Sequence, residues 1–366
     1  MVPDLFADAA HYRDAFALGL ERLLENDQLG AFILVLANAS YDEALWQRLW
    51  PRLNHRFQEL GDELTEALHH GRRLDHPEDD LLVFLKLLVL GLNRVALTRH
   101  RHAGPWELQF NPARALRPAR MSNAVVERLQ APFDEGGFHF NRPFLQAERI
   151  WEGELGDHTL RLFYNKFPFA PLHALLVPEP EARRPQYLDR ATHELAWRLL
   201  EEIGARLPGS GLGYNSRGAY ASVNHLHLQF YSGKEEGYPI EDPRWRHNGG
   251  AERWPLPVER FDSVKEAWQR IEALHAANCA YNLLYRPGRL YLTPRTLQGS
   301  YRHSDWTGGF AWAEVAGCIT LSCEADFEVL GETEIARELA RLAPDLGRAG
   351  ETREGAQSPS RSSAGS

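Results

Sequence analysis

The 366-residue sequence predicts an α+β protein, and three observations carry that reading. Apolar residues recur at helical spacing through the first hundred residues. From about residue 106 short β-rich runs take over, bracket one amphipathic helix and resume. A second mixed block of helix, hairpin and strand follows from about residue 250. Strands and helices grouped in this way point to an α+β architecture. The chain divides into a helical N-terminal region (1–105), two mixed blocks (106–245 and 246–345) and a tail (346–366) that lacks apolar anchors and is expected to be disordered.

In the first block, "SYDEALWQRLW" opens at Ser40 with acids in its first turn, a helix-start signature. Pro51 is expected to interrupt that helix. "FQELGDELTEALHHG" continues the helical spacing and stops at Gly71. The most apolar stretch, "LLVFLKLLVLGLNRVAL" (81–97), is short for a membrane span and carries Lys86, Asn93 and Arg94, so a buried helix is expected.

In the second block, "LRLFYNKF" (160–167) and "HALLVP" (173–178) are strands, "YLDRATHELAWRLLEEIGARL" (187–207) is a helix, and a turn at Asn215–Gly218 leads into a further strand. In the third, "DSVKEAWQRIEALHAAN" is helical, "YNLLYRPGRLYLTP" is a hairpin around Pro287-Gly288, "AGCITLSC" is a strand and "TEIARELARLA" a last helix.

Composition narrows the function. Hydrophobic content of 43% and charged content of 25% suit a globular protein, and a net charge of −9 argues against a generic nucleic-acid binder. Cys279, Cys318 and Cys323 form no C-x-x-C pair, so neither a zinc knuckle nor a disulfide framework is indicated, and thiols in a reducing cytoplasm are expected. The N-terminus lacks the basic start and apolar run of a signal peptide.

The chemistry concentrates in "SVNHLHLQFY" (222–231). On a strand, His225, His227 and Gln229 share one face while Leu226, Leu228 and Phe230 share the other. Three readings stand open for the polar face. It is solvent-facing; or the histidines reach one metal ion, with His173 or His303 as a third ligand; or an imidazole Nε2 acts as a nucleophile toward phosphorus while the glutamine amide donates to a phosphoryl oxygen. Asn215, Ser216 and Ser222 add small donors nearby, and Gly211, Gly213 and Gly218 permit close backbone approach.

The longer stretch "GYNSRGAYASVNHLHLQ" (213–229) resembles the signature of the histidine triad superfamily, in the branch whose third histidine is glutamine. Within that branch it is most similar to the GDP-hexose phosphorylases. "RPARMSNAVVERLQAPFDEGGFHFN" (117–141), ending in an F-x-F-N strand, and "NKFPFAPLHALLVPEP" (165–180) agree with it. The resemblance covers about 106 to 330 and leaves the helical region outside. It implies antiparallel histidine-triad-like sheets in two halves, 106–245 catalytic and 246–345 a degenerate copy without the motif.

The resemblance also implies that His227 attacks the α-phosphorus of a nucleoside-diphosphate hexose, that His225 orients it through its backbone carbonyl, and that Gln229 binds phosphoryl oxygens. Asn215, Ser216, Ser222, Asn224, Asn165, Lys166 and His173 are the expected substrate contacts. The spacing from Asn215 to His227 is one residue shorter than in the uridylyltransferase branch. Nucleotide sugar and inorganic phosphate are the expected partners, with no nucleic acid, no membrane, no cofactor and no metal, in a cytoplasmic homodimer. A dinucleoside polyphosphate phosphorylase and a non-catalytic nucleotide-binding protein are the alternatives. The arginines of 99–120 are candidates to neutralise a diphosphate or to form an exposed basic face, and "HSDWTGGFAW" (303–312) is a candidate to close over base or sugar.

Overall fold

The computed structural model describes residues 4–117 and 124–344. The expected tail (346–366) and residues 118–123, where the arginine-rich stretch ends and the 117–141 stretch begins, lie outside the described residues.

Four helices come first: α1 (Ala9–Leu23), α2 (Leu29–Ala39), α3 (Glu43–His69) and α4 (Glu78–Leu90). Three expectations are corrected here. The N-cap of α3 is Asp42, whose carboxylate accepts from Leu45 N, and the helix runs through Pro51 without a break. Pro51 and Gln47 both lie on the exposed side, so the carbonyl that the proline leaves unpaired faces water, while Leu45, Leu49 and Leu53 hold the buried side in place. Helix α4 is not buried all round. Val83, Phe84 and Leu87 are inside, but Leu82, Leu85, Val89 and Leu90 are exposed, and Gly91 at φ +83° ends the helix.

The remaining elements build one large sheet and one small one. After the hairpin β1 (Arg99–Ala103) and β2 (Trp106–Phe110) and the short α5 (Pro112–Ala115) come β3 (Arg149–Leu155), β4 (His158–Tyr164), β5 (Ala174–Pro178), α6 (Arg190–Ile203), β6 (Gly211–Asn215), β7 (Leu228–Tyr231), β8 (Glu259–Phe261), α7 (Val264–Ala276), β9 (Ala280–Arg286), β10 (Arg289–Arg295), α8 (Trp312–Val315), β11 (Cys318–Leu321), α9 (Glu324–Val329) and α10 (Glu332–Ala340). The large sheet is antiparallel throughout, in the order β3-β4-β5-β7-β6-β9-β10-β8. The small sheet is β1-β2-β11, with β11 parallel to β2.

The topology contains an internal echo. The succession β5-α6-β6-β7 is repeated as β8-α7-β9-β10, and the sheet order β5-β7-β6 followed by β9-β10-β8 reads the same from either end. Strands β6 and β9 meet at the centre, pairing Gly213 with Leu284 and Asn215 with Asn282.

Alternation then assigns the two faces. Leu212, Tyr214, Leu228, Phe230, Leu283, Tyr285, Leu290 and Leu292 point to one side and join the N-terminal helices, α6 and α7 in a single apolar core. The opposite side carries Tyr231, Leu284 and Tyr291, packed in a second core with the small sheet and Trp312. His227, Gln229, Gly213, Asn215, Asn282 and Arg295 occupy this second face by register.

Candidate active site

The histidines do not lie inside a strand. Strand β7 begins at Leu228, and residues 221–227 form the irregular lead into it. The alternation nevertheless holds: Leu226, Leu228 and Phe230 enter the core, and the polar residues take the other side. The solvent-facing reading fails, because His225 and His227 are 1% and 4% exposed.

His227 is held from three directions. Its Nδ1 lies 2.7 Å from the His225 carbonyl. A carbonyl only accepts, so Nδ1 carries the proton and Nε2 presents its lone pair. Its backbone N–H donates to Gln186 Oε1 at 2.9 Å, and Gln186 Nε2 donates to the carbonyls of both His227 and Asn215, at 3.1 and 2.9 Å. Gln186, buried in the loop before α6, therefore fastens the lead of β7 to the end of β6. His225 Nδ1 accepts from Phe140 N–H at 3.1 Å, and the Phe140 ring packs on both imidazoles. Phe140 lies in a turn, which corrects the expected F-x-F-N strand.

Two amides on this face are turned by groups that can only donate. Trp312 Nε1–H bonds Gln229 Oε1 at 2.8 Å. Asn215 Oδ1 accepts from Trp312 N–H at 2.8 Å and from Asn282 Nδ2 at 2.7 Å. With both oxygens engaged, Gln229 and Asn215 have their NH2 groups to offer beside His227. Gly213 makes this packing feasible, because a Cβ there would lie 2.2 Å from the Trp312 indole.

Burial sets the protonation states. It lowers the His227 pKa to about 4, against the opposing effect of the His225 carbonyl. His225 is also lowered to about 4, by burial and then by His227 and His139. His173 is lowered to about 3 by burial and by the Arg114 guanidinium, while Gln229 opposes this. Each imidazole is neutral at pH 7.

The other predicted contacts are placed as follows. Ser216 Oγ accepts from Tyr281 N–H at 2.9 Å, joining the turn after β6 to β9. Asn224 accepts from Gln186 N and donates to the Pro132 carbonyl. Asn165 and His173 face each other, with Asn165 Nδ2 3.3 Å from His173 Nε2, and His173 abuts Gln229. Ser222 is exposed on the loop before the histidines. Lys166 is ion-paired with Asp80 of α4, so its charge is engaged by the helical region. Arg99 pairs with Glu324 and Glu328, and Arg101 binds the Phe327 and Leu330 carbonyls. Arg114 binds the Phe167 carbonyl and lies over the Phe169 ring, 4.9 Å from its centroid. Within 303–312, Phe310 and Trp312 are buried. Among the described residues no group of three or more His, Cys, Asp or Glu side chains converges as a metal site would require.

Gln186 lay outside the sequence reading, and Phe140 and Asn282 fell in stretches read as a strand and a hairpin without a role at the site. Their hydrogen bonds to distant segments identify them, whereas Trp312 fell within a stretch already marked for its aromatics.

An imidazole with a free Nε2, flanked by turned amides on an antiparallel sheet, defines a class of site, and residues 105–231 around it match the family described as GDPGP1-like, N-terminal domain. The relatives are particular proteins of that branch. The chain is 31% identical over 139 residues to GDP-L-galactose phosphorylase 1 of Arabidopsis thaliana, covering 34% of this chain and 30% of the relative. It is 35% identical over 134 residues to GDP-D-glucose phosphorylase 1 of Homo sapiens, covering 34% and 33%. Over 279 residues it is 42% identical to GDP-L-galactose phosphorylase 2 of Arabidopsis thaliana, covering 64% of each chain. The matched stretch thus spans about a third of the first two relatives. These relatives are GDP-hexose phosphorylases, the branch that the motif resembles. Among solved structures, yeast Ap4A phosphorylase aligns with a TM-score of 0.49 at 16% identity, covering 73% of this chain and 96% of that one.

Proposed function

We propose that the chain is a phosphorylase that transfers the nucleotidyl group of a GDP-hexose to inorganic phosphate through His227. The observation that carries this reading is the bond from His227 Nδ1–H to the His225 carbonyl, which leaves Nε2 as the nucleophile. In the first step the Nε2 lone pair attacks the α-phosphorus. The bond from that phosphorus to the bridging oxygen breaks, and its electron pair departs on hexose 1-phosphate. The phosphorylated ring keeps its Nδ1 proton and becomes cationic, and the His225 carbonyl faces that charge. In the second step a phosphate oxygen attacks, the P–N bond breaks and its pair returns to Nε2, giving GDP. The NH2 groups of Gln229 and Asn215 serve the phosphoryl oxygens as charge shifts onto them.

The names of the relatives support guanine as the base and a hexose as the sugar. The repeated strand–helix–hairpin unit supports the degenerate second half, since the turn at Arg286–Arg289 stands where the first unit carries its histidines. A cytoplasmic setting agrees with three free cysteines, and no helix among the described residues is long and apolar enough to cross a membrane. A homodimer follows from the resemblance, and light scattering checks it.

The deciding assay incubates the protein with GDP-, ADP- and UDP-hexoses and diadenosine tetraphosphate, with and without phosphate, and follows nucleotide release. Phosphate-dependent GDP from a GDP-hexose is the expected result. ADP from the dinucleotide alone would transfer the same chemistry to the other substrate class. Binding without turnover would overturn the enzymatic reading.

A further inference from the structure

The polar row on the site face extends past the residues that the reaction uses. From His227 it crosses to Asn215 on β6 and Asn282 on β9, and ends at Arg295 on β10. Asn282 donates to Asn215 Oδ1, and Arg295 Nη1 donates in turn to Asn282 Oδ1 at 3.3 Å and to the Phe310 carbonyl. Arg295 is completely buried, and its Nε and Nη2 have no hydrogen-bond partner among the described residues. The buried Tyr301 hydroxyl faces the same guanidinium, its oxygen turned toward the Arg295 donors and its own proton left to offer. Glu314 bears on it from α8, but that carboxylate is committed to the Ala311 N–H.

Buried guanidinium donors without an acceptor are costly, and they are suited to the oxygens of an anion. We propose that Arg295, with Tyr301, is the binding group for the phosphate on the far side of the reaction: the phosphate of departing hexose 1-phosphate and then the arriving inorganic phosphate. This rests on the double-displacement reading given above. In-line geometry requires one subsite for both, because the leaving oxygen and the attacking oxygen must each lie opposite Nε2 across the phosphorus. Strand β10 stands three strand spacings from β7, about 14 Å, and Arg295 shortens that span by reaching back toward β9, where its Nη1 donates to Asn282.

The cover over this subsite is Tyr220. Its ring lies over the Arg295 guanidinium, 5.2 Å away, and is half-buried. Tyr220 sits at φ +68°, and its ring presses on Gly309, where a Cβ would come within 1.9 Å of it. A non-glycine residue in that region of backbone space is strained and is held only by its surroundings, so phosphate entry requires this ring to give way.

The test uses Arg295→Lys and Tyr301→Phe in the full chain, with the GDP-hexose that the wild type turns over. Two quantities are read: the burst of nucleotidyl-His227 formed without phosphate, and the phosphate dependence of GDP release. The expected result is a KM for phosphate raised at least tenfold by Arg295→Lys and about threefold by Tyr301→Phe, with GMP binding unchanged. An unaltered KM for phosphate in both folded variants overturns the proposal. If Arg295→Lys does not fold, Tyr301→Phe decides alone. If the wild type turns over no nucleotide sugar, the reading of function fails separately. Calorimetry with inorganic phosphate then tests Arg295: weaker binding in the variants supports it, and equal binding overturns it.

Discussion

At the scale of the residue, the site is a set of orientations fixed by groups with only one hydrogen-bonding sense. A carbonyl sets the His227 tautomer, an indole N–H sets Gln229, and a backbone N–H sets Asn215. One prediction follows from His227 being held neutral. With its pKa at about 4, the unprotonated imidazole that the proposed reaction needs persists well below the ordinary histidine range. The acid limb of kcat/KM is therefore expected near pH 4, and a limb near 6.5 would contradict the burial argument. His227→Ala is expected to leave less than a thousandth of wild-type turnover. Gln186→Ala removes three buried hydrogen bonds and should cost about 1–3 kcal/mol of stability as well as turnover, measurable by urea denaturation. His225, His227 and Gln229 were legible in the sequence because period-2 spacing is a local property. Gln186 was not, because its three bonds join segments about 30 to 40 residues apart, and no spacing rule connects them.

At the scale of the element, strand β6 and helix α8 form one device. The glycine at position 213 lets the Trp312 indole lie against the strand, and from there the indole reaches Gln229. Gly213→Ala should displace the indole and lower kcat by tenfold or more. Trp312→Phe keeps a ring but deletes the N–H, which frees the Gln229 amide to flip; a similar loss of kcat with a near-normal melting temperature is expected. Full activity in Trp312→Phe would show that the amide needs no lock. The sequence reading placed strands and helices well, since alternation and helical spacing are dictated by which side of each element is buried. It failed at Pro51, at the strand around the histidines and at α4. In those places exposure or tertiary pairing, which propensity does not contain, set the outcome.

At the scale of the whole molecule, the large sheet separates two environments. Helices seal one face in apolar packing; the small sheet, the 303–316 segment and the turn at Phe140 close over the other. The small sheet is anchored to the rest by a buried ion pair between Lys234 and Glu107, 2.6 Å apart, with His100 on the same carboxylate. Burial pushes the Glu107 pKa up, but His100 and Lys234 outweigh it and bring it down to about 2. A carboxylate depressed on folding stabilises the native state above its unfolded pKa, and that contribution is lost as pH falls through about 4.5 toward 2. The shift corresponds to roughly 3 kcal/mol. Acid denaturation is expected to flatten in Glu107→Gln between pH 5 and 2, and the variant should be less stable at pH 7 because Lys234 remains buried with a weaker partner. Equal stability of both proteins at pH 7 would remove this pair from the account.

What the sequence alone determined about this protein was the chemistry on offer: two histidines and a glutamine at alternate positions, glycines and an asparagine upstream, and a block order that sets the α+β class. Those are consequences of local stereochemistry and of side-chain type. Only the tertiary structure decided which atoms the Gln229 and Asn215 amides present, that Lys166 is spent on Asp80, and that two Arg295 nitrogens find no hydrogen-bond partner among the described residues. Each of those facts depends on a partner supplied by another strand, helix or loop. A hydrogen bond orients a group only when its partner has been brought to it.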